Sequence, residues 1–346
     1  MRAVVLTGFG GPERLTYRTD VPDPVPGPGE VRVRVAATAL NNTDIWTREG
    51  RYGTVGDPEA TAGWRREALE FPRIQGADVV GRIDQAGEGV PEDRVGERVI
   101  LDPMLYVGDE RALVTTAYLG SERDGGFAEY VSIPASNAHR VDGPLTDAEL
   151  ATFPTAYSTA LRMLKRARVR AGETVLVTGA SGGVGSALVQ LAGLRGARVV
   201  ALVGAGKTEL AAALGADATV RRDVPDLVAA VREAAGDAEI DVVADVVAGP
   251  AFGDLLAVLR PLGRYVVAGA IAGAVVPADL RTVYLRQLEL IGSSFGTHED
   301  FAEVVEYAAS ARLRPLLAAT YPLAELGAAQ RAFVAKDFFG KLVVQP

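Results

Sequence analysis

The chain has 346 residues, 48% of them hydrophobic and 23% charged, and a net charge of −8 at pH 7. That length buries a sizeable core and favours two domains over one. The acidic balance argues against a nucleic-acid groove as the principal site and leaves room only for a local basic pocket. No cysteine is present, which removes disulfides, thiolate chemistry and Cys-based zinc sites together. The opening MRAVVLTGFGGPERL is interrupted by Gly, Pro and Glu and lacks the apolar stretch of a signal peptide. Residues 266–278, the longest soft run, carry Gly269, Gly273 and Pro277 and are too short to span a bilayer. A cytoplasmic protein with neither a membrane nor a nucleic-acid partner is expected.

Up to about residue 150 the texture is one of short strands and turns. Val31, Val33 and Val35 alternate with other residues; residues 94–101 and 127–133 are further strand candidates, and the Pro-rich residues 22–28 form a connector. This predicts a small β-barrel-like domain. In ALNNTDIW, residues 39–46, polar side chains follow directly on a strand. Asn41 fits two roles there, an amide donor to a ligand oxygen or an Asx-turn that ends the strand. Asp44 is expected to brace that turn. Residues 53–70 read as a long loop carrying Trp64, Arg65 and Arg66. Such a loop is either a lid over a hydrophobic or anionic substrate or a solvated surface segment.

Beyond residue 150 strands and helices alternate. Strands are expected at residues 174–178, 198–203, 218–220, 240–247, 264–268 and 288–292, with Ala/Leu-rich helices at 186–194, 207–214 and 224–235. Six strands with crossover helices predict a doubly wound parallel sheet. Its first turn is VLVTGASGGVG, residues 175–185: a buried strand, a glycine turn and a helix starting near Val184. That order turns unsatisfied helix N–H groups and a positive dipole end toward a bound anion. Gly182 lets the backbone approach a pyrophosphate and Gly185 lets helix and strand pack closely. The strict fingerprint has glycine where this chain has Ala180. Thr297 with Asp300 caps a later helix, and an apolar strand at residues 341–344 is expected to return to the first domain.

Several motifs, in order, resemble the medium-chain dehydrogenase/reductase superfamily, specifically its zinc-free quinone oxidoreductase-like branch. They are the opening segment, residues 29–35, 41–52, 76–81, 96–99, 125–130 and 180–185, and the closing FGKLVV. The resemblance runs nearly end to end. It implies an α/β chain with a GroES-like β-barrel catalytic domain, residues 1–154 completed by 296–346. A Rossmann domain with a six-stranded doubly wound parallel sheet would occupy residues 155–295, with substrate entering between the two.

The resemblance places Asn41, Ala77 and Ala151 where metal-dependent relatives hold catalytic zinc with Cys, His and Cys. None of these can be a thiolate or imidazole ligand, and the four-Cys structural site is missing as well. The two histidines, His139 and His298, are expected as surface or capping residues. No metal is expected. Without a Lewis acid a simple ketone is hard to polarise, whereas hydride adds to an activated alkene while its carbonyl takes up charge. The implied activity is NADPH-dependent reduction of an activated C=C bond (enone or enoyl) or of a quinone. A metal-free carbonyl reductase or alcohol dehydrogenase and a non-catalytic NADPH-binding scaffold or sensor are the alternatives.

Tyr52 coincides with the tyrosine of quinone reductases and polyketide enoyl reductases. With Asn41 it is expected to orient the substrate carbonyl and to supply the proton, a role water also fits. Trp46, Trp64, Ala77 and Asp78 are expected in the substrate pocket. Dinucleotide contacts are implied at Thr155, at Gly179, Ala180, Ser181, Gly182, Gly183, Val184 and Gly185, at Val247, at Gly269, Ala270 and Ile271, and at Ser293, Ser294 and Phe295. Gly204 stands where NAD-preferring sites carry an acid for the ribose 2′-OH. That glycine, with Lys207 nearby, favours a 2′-phosphate and hence NADPH, while Arg221 and Arg222 fit either an approach to the adenosine phosphate or a place in water, the second being preferred. A homo-oligomer through the strand LELIG, residues 288–292, is expected because such an apolar strand is costly as an exposed edge.

Overall fold

The computed structural model describes residues 1–52 and 69–346, so Trp64, Arg65 and Arg66 lie outside the described residues. The chain divides into two compact units, Met1–Thr155 with Thr297–Pro346, and Ala156–Gly296. Among the described residues no helix is long and apolar enough to cross a membrane.

In the first unit a sheet runs in the order Ala138–Arg140, Arg98–Leu101, Asp78–Ala86, Glu30–Ala39, Lys341–Gln345, Leu317–Pro322, with Tyr130–Pro134 also paired to Glu30–Ala39. Along Glu30–Ala39 the valines point inward in strict alternation, Val31, Val33 and Val35 all being buried. Past Val35 the strand is covered on both sides. Ala39 pairs with Asp78 on one side and with Val343 on the other. The chain end is therefore an interior strand, and it brings residues 39–41, 77–78 and 341 together across a large sequence separation. A smaller antiparallel sheet, Leu15–Arg18, Ala3–Leu6 and Arg73–Ile74, and a two-stranded one, Met104–Leu105 with Ala117–Tyr118, belong to the same unit.

The second unit is a six-stranded parallel sheet in the order Ala218–Arg221, Arg198–Val203, Thr174–Val177, Ile240–Asp245, Leu259–Val267, Glu289–Gly292. Thr174–Val177 is buried at every residue, as expected of a parallel strand covered on both faces. Leu176, Val200 and Val243 belong to one core cluster with Leu227, Val231, Leu255 and Leu256. Strand order reverses between Thr174–Val177 and Ile240–Asp245, the point where open α/β sheets bind ligands.

Several boundaries differ from the sequence expectation. The strand expected at 264–268 begins already at Leu259, because Pro261 and Gly263 lie within it rather than ending a turn. The strand expected at 94–101 begins only at Arg98, since Glu92–Arg94 form a short 3-10 turn. That expected at 127–133 is Tyr130–Pro134.

Helix Gly183–Leu194 packs tightly onto the first strand of this sheet through Gly185. A Cβ added there would lie 2.1 Å from the Gly179 carbonyl oxygen and 2.8 Å from the Ala180 Cα. Both neighbours are backbone and cannot step aside. Gly185→Ala is expected to lower stability by about 1–3 kcal/mol, seen as a lower urea midpoint with an unchanged slope. An unchanged midpoint would show that the helix can slide outward without loss.

Candidate active site

Lys341 lies at the centre of a buried polar network in the first unit, with only 4% of its surface exposed. Its Nζ donates to Asp78 Oδ2 at 2.8 Å and to Asn41 Oδ1 at 2.5 Å. Asp78 is wholly buried, and its other oxygen accepts from the Thr155 backbone N–H at 2.9 Å and from the Thr155 hydroxyl at 2.5 Å. A carboxylate only accepts, so the Thr155 hydroxyl hydrogen is committed to Asp78. The Tyr118 hydroxyl, 2.9 Å from Thr155 Oγ1, must then be the donor in that pair. Burial raises the Tyr118 phenol well above its ordinary pKa, which keeps it protonated for this role.

Asn41 precedes helix Asn42–Arg48 as its N-cap. Its backbone N–H donates to Asp44 Oδ2 at 2.7 Å, so Asp44 does brace the turn. The side-chain oxygen is taken by Lys341, while Asn41 Nδ2 is buried and has no hydrogen-bond partner. Such an orphaned donor is uncommon in a protein interior. Burial pushes the Asp44 carboxyl up to about 7, and the nearby Asp78 charge adds to the effect, while the Asn41 N–H and Lys341 oppose it.

The other expected residues of this unit divide in two. Tyr52 and Trp46 meet, with ring centroids 5.6 Å apart, and the Arg51 guanidinium lies 5.9 Å from the Trp46 centroid. Ala77 and Asp78, expected in the substrate pocket, are both wholly buried, and Asp78 faces Lys341 and Thr155. The zinc donor set does not fit either. Ala77 and Ala151 offer buried methyl groups, and the one oxygen at these three positions already holds an ammonium. Among the described residues no cluster of three or more His, Cys, Asp or Glu side chains is arranged to hold a metal.

Neither histidine is a plain surface residue. His298 opens helix His298–Ala309; its Nδ1 lies 2.6 Å from the buried Asp102, and its ring stacks on Tyr106 at 4.1 Å. The bond to Asp102 raises its pKa. His139 packs on Phe301, and burial lowers its pKa.

In the second unit the glycine turn forms an open cradle. Gly182 caps helix Gly183–Leu194, and a Cβ there would meet only the Gly179 oxygen at 3.4 Å. Ser181, Gly182, Gly183 and Val184 all retain exposure at the helix start. Ala180 is wholly buried with its N–H on the Leu202 carbonyl, so its methyl group faces the interior, which explains why alanine stands in for the fingerprint glycine. Val247, Gly269, Ala270 and Ile271, and Ser293, Ser294 and Phe295, follow the C-terminal ends of Ile240–Asp245, Leu259–Val267 and Glu289–Gly292. Ser293 Oγ is buried without a partner. An exposed helix start and an orphaned hydroxyl at the sheet's ligand end fit a dinucleotide.

Besides Lys341, a buried acid of the second unit escaped the sequence reading. Asp245, wholly buried, accepts from Thr178 Oγ1, Tyr265 Oη and the backbone N–H groups of Val247 and Ala248, which fixes the Val247 loop. Its only signal was an acid ending the apolar run IDVVAD. Arg222, expected to face water, is exposed but lies over Gly204: a Cβ on Gly204 would sit 3.7 Å from its Nε and 3.9 Å from its Nη2. Arg221 instead pairs with Asp223 at 2.6 Å. Lys207 caps helix Thr208–Ala213 in the turn after Gly204.

Residues 27–143 match the alcohol dehydrogenase GroES-like domain family and residues 183–310 the zinc-binding dehydrogenase family. The chain is 30% identical to an acryloyl-coenzyme A reductase of Metallosphaera sedula, over 99% of both chains. It is 28% identical to a quinone oxidoreductase of Rattus norvegicus, over 99% of this chain and 97% of that one. A solved structure from Sinorhizobium meliloti 1021, provisionally named an alcohol dehydrogenase, is 56% identical with a TM-score of 0.96, covering 100% of this chain and 96% of that chain.

The Asp44 carboxyl holds its proton in the folded chain over a pH range in which the unfolded chain, at the ordinary 3.8, has released it. Its contribution to stability is therefore present below about pH 4 and lost as pH rises through about 7. Asp44→Asn keeps an oxygen for the Asn41 N–H but cannot ionise. Its stability relative to the parent should rise by on the order of a few kcal/mol between about pH 5 and pH 8. Urea midpoints at the two pH values measure this, and a constant difference would refute the assignment.

Proposed function

We propose that this chain, which belongs to the medium-chain dehydrogenase/reductase superfamily, is a metal-independent, NADPH-dependent reductase of an activated carbon–carbon double bond or a quinone. The observation that carries this reading is the buried, unpartnered Asn41 amide nitrogen, its oxygen held by a lysine ammonium, at a position where metal-dependent relatives would place a ligand. A fixed N–H donor stabilises negative charge developing on a carbonyl oxygen. That suffices for an enone, enoyl ester or quinone, whose reduction puts charge on such an oxygen.

The glycine turn and the strand ends of the second unit would hold a nicotinamide dinucleotide, which in its reduced form would supply the hydride. Asn41 Nδ2–H holds the substrate oxygen, and the Tyr52 hydroxyl delivers the proton or hydrogen-bonds the same oxygen. Trp46 backs the Tyr52 ring. The names of the acryloyl-coenzyme A reductase and quinone oxidoreductase relatives support this substrate class. Reduction of a carbonyl is the second reading, favoured by the alcohol dehydrogenase name of the 56% identical neighbour.

The NADPH preference rests on a missing carboxylate at Gly204 and on Arg222 above it, with Lys207 in the following turn. We also take the protein to be a homo-oligomer built on the edge strand Glu289–Gly292. Leu290 on that strand is 47% exposed, and Tyr284 and Leu285 just before it are 63% and 70% exposed. Light scattering checks this: Leu290→Arg should shift the parent assembly to monomer, and a monomeric parent would refute the idea.

The decisive experiment titrates the protein with NADPH and NADH, then measures turnover on 1,4-benzoquinone and methyl vinyl ketone with product analysis. NADPH should bind more tightly and the enone should yield saturated ketone. Arg222→Ala should weaken NADPH by about 10–100-fold with little effect on NADH, the worth of one charge-assisted contact. Tyr52→Phe should lower kcat by about 100-fold if the phenol is the proton donor. Allylic alcohol as product would favour carbonyl reduction; tighter NADH binding would refute the Gly204–Arg222 argument.

A further inference from the structure

We propose that Lys341 is a positioning residue whose ammonium sets which end of the Asn41 side chain meets the ligand, as a built-in cation where a metal ligand set is missing. The inference rests on the reading of Asn41 as a ligand contact. It starts from a constraint of chemistry. An amide side chain has an accepting end and a donating end of nearly the same shape. An ammonium carries only donors, so the Asn41 atom 2.5 Å from Lys341 Nζ is the oxygen. The Nδ2–H2 end is thereby turned away from Lys341, and it is the end that is buried without a partner.

Three consequences follow from the same contacts. The group that meets Asn41 must be an acceptor: a carbonyl, enolate or hydroxyl oxygen. The ammonium on the amide oxygen withdraws density from the amide nitrogen, which makes its N–H groups stronger donors. Asp78 holds Lys341 in place and is itself held by both donors of Thr155. Order therefore runs from Thr155 through Asp78 and Lys341 to the Asn41 amide, with no proton moving along it.

Asn41, Asn42 and Asn137 are the chain's three asparagines, so a sample labelled with [15N]asparagine shows few side-chain amide signals. Asn137 donates to the Asp102 and Met104 carbonyl oxygens and reports on folding independently. Lys341→Met should move the Asn41 side-chain pair and leave the Asn137 pair in place; Lys341→Arg should restore the parent position. If the single variant does not fold, D78N/K341M removes both buried charges and makes the same prediction. With 1,4-benzoquinone and NADPH, Lys341→Met should lower kcat by about tenfold or more, with the NADPH Kd unchanged and activity recovered by Lys341→Arg. An Asn41 pair that stays put in a folded variant overturns the proposal, as does full turnover once the pair has moved. A parent protein inactive on every probe refutes the reductase reading alone, and the labelled amide then decides the Lys341 assignment by itself.

Discussion

Taking an ammonium and a carboxylate out of water costs several kcal/mol for each, and only close pairing with every remaining donor and acceptor satisfied offsets that cost. The first unit is arranged around meeting this condition at Lys341 and Asp78. Their oxygens and hydrogens are met by Asn41 on one side and Thr155 on the other, with Tyr118 behind Thr155. The strands Glu30–Ala39, Asp78–Ala86 and Lys341–Gln345 are neighbours in one sheet, and this adjacency makes the pairing possible. Among the described residues the Asn41 amide nitrogen, next to this pair, is buried without a partner. A buried donor of this kind is where a ligand is expected.

The second unit meets its own constraint by different means. Its cradle depends on close backbone packing, with Gly185 against the Gly179 carbonyl, and on one buried carboxylate, Asp245, that gathers a hydroxyl, a phenol and two backbone N–H groups. Each holds the backbone of a turn rather than contributing a reactive group. At the ligand end the second unit offers hydroxyls, those of Ser181, Ser293 and Ser294, with Lys207 and Arg222 near Gly204. Such groups suit a site whose chemistry arrives with the cofactor.

What was legible in the sequence follows from how local each signal is. The sheet of the second unit was readable because its strands are continuous apolar runs closed by turn residues. The glycine cradle is contiguous, so its spacing could be read directly. Leu259–Val267 was half missed because Pro261 and Gly263 mimic a turn. The Lys341 network was invisible, because its partners stand 300 and 263 residues away and a lysine opening an apolar strand looks like a solvated end. Arg222 was read as facing water, and it is exposed; its nearness to Gly204 was not legible because it crosses between neighbouring strands, Arg198–Val203 and Ala218–Arg221. His298 was misjudged for a similar reason, since Asp102 carries no local mark of a partner.

The place of Lys341 in the chain also sets an order of assembly during synthesis. All six strands of the second unit lie between residues 174 and 292, so that unit has its whole sheet before the last strand of the other exists. Residues 38 and 39, by contrast, wait for Val344 and Val343, and until then the growing sheet carries an open edge of the kind that invites mispairing. Asp78 meanwhile lacks its cation. The usual rule, in which the amino-terminal domain is finished first on the ribosome, is thus inverted here: the segment inserted in the middle can settle early, and the sheet of the first unit waits for the strand bearing Lys341.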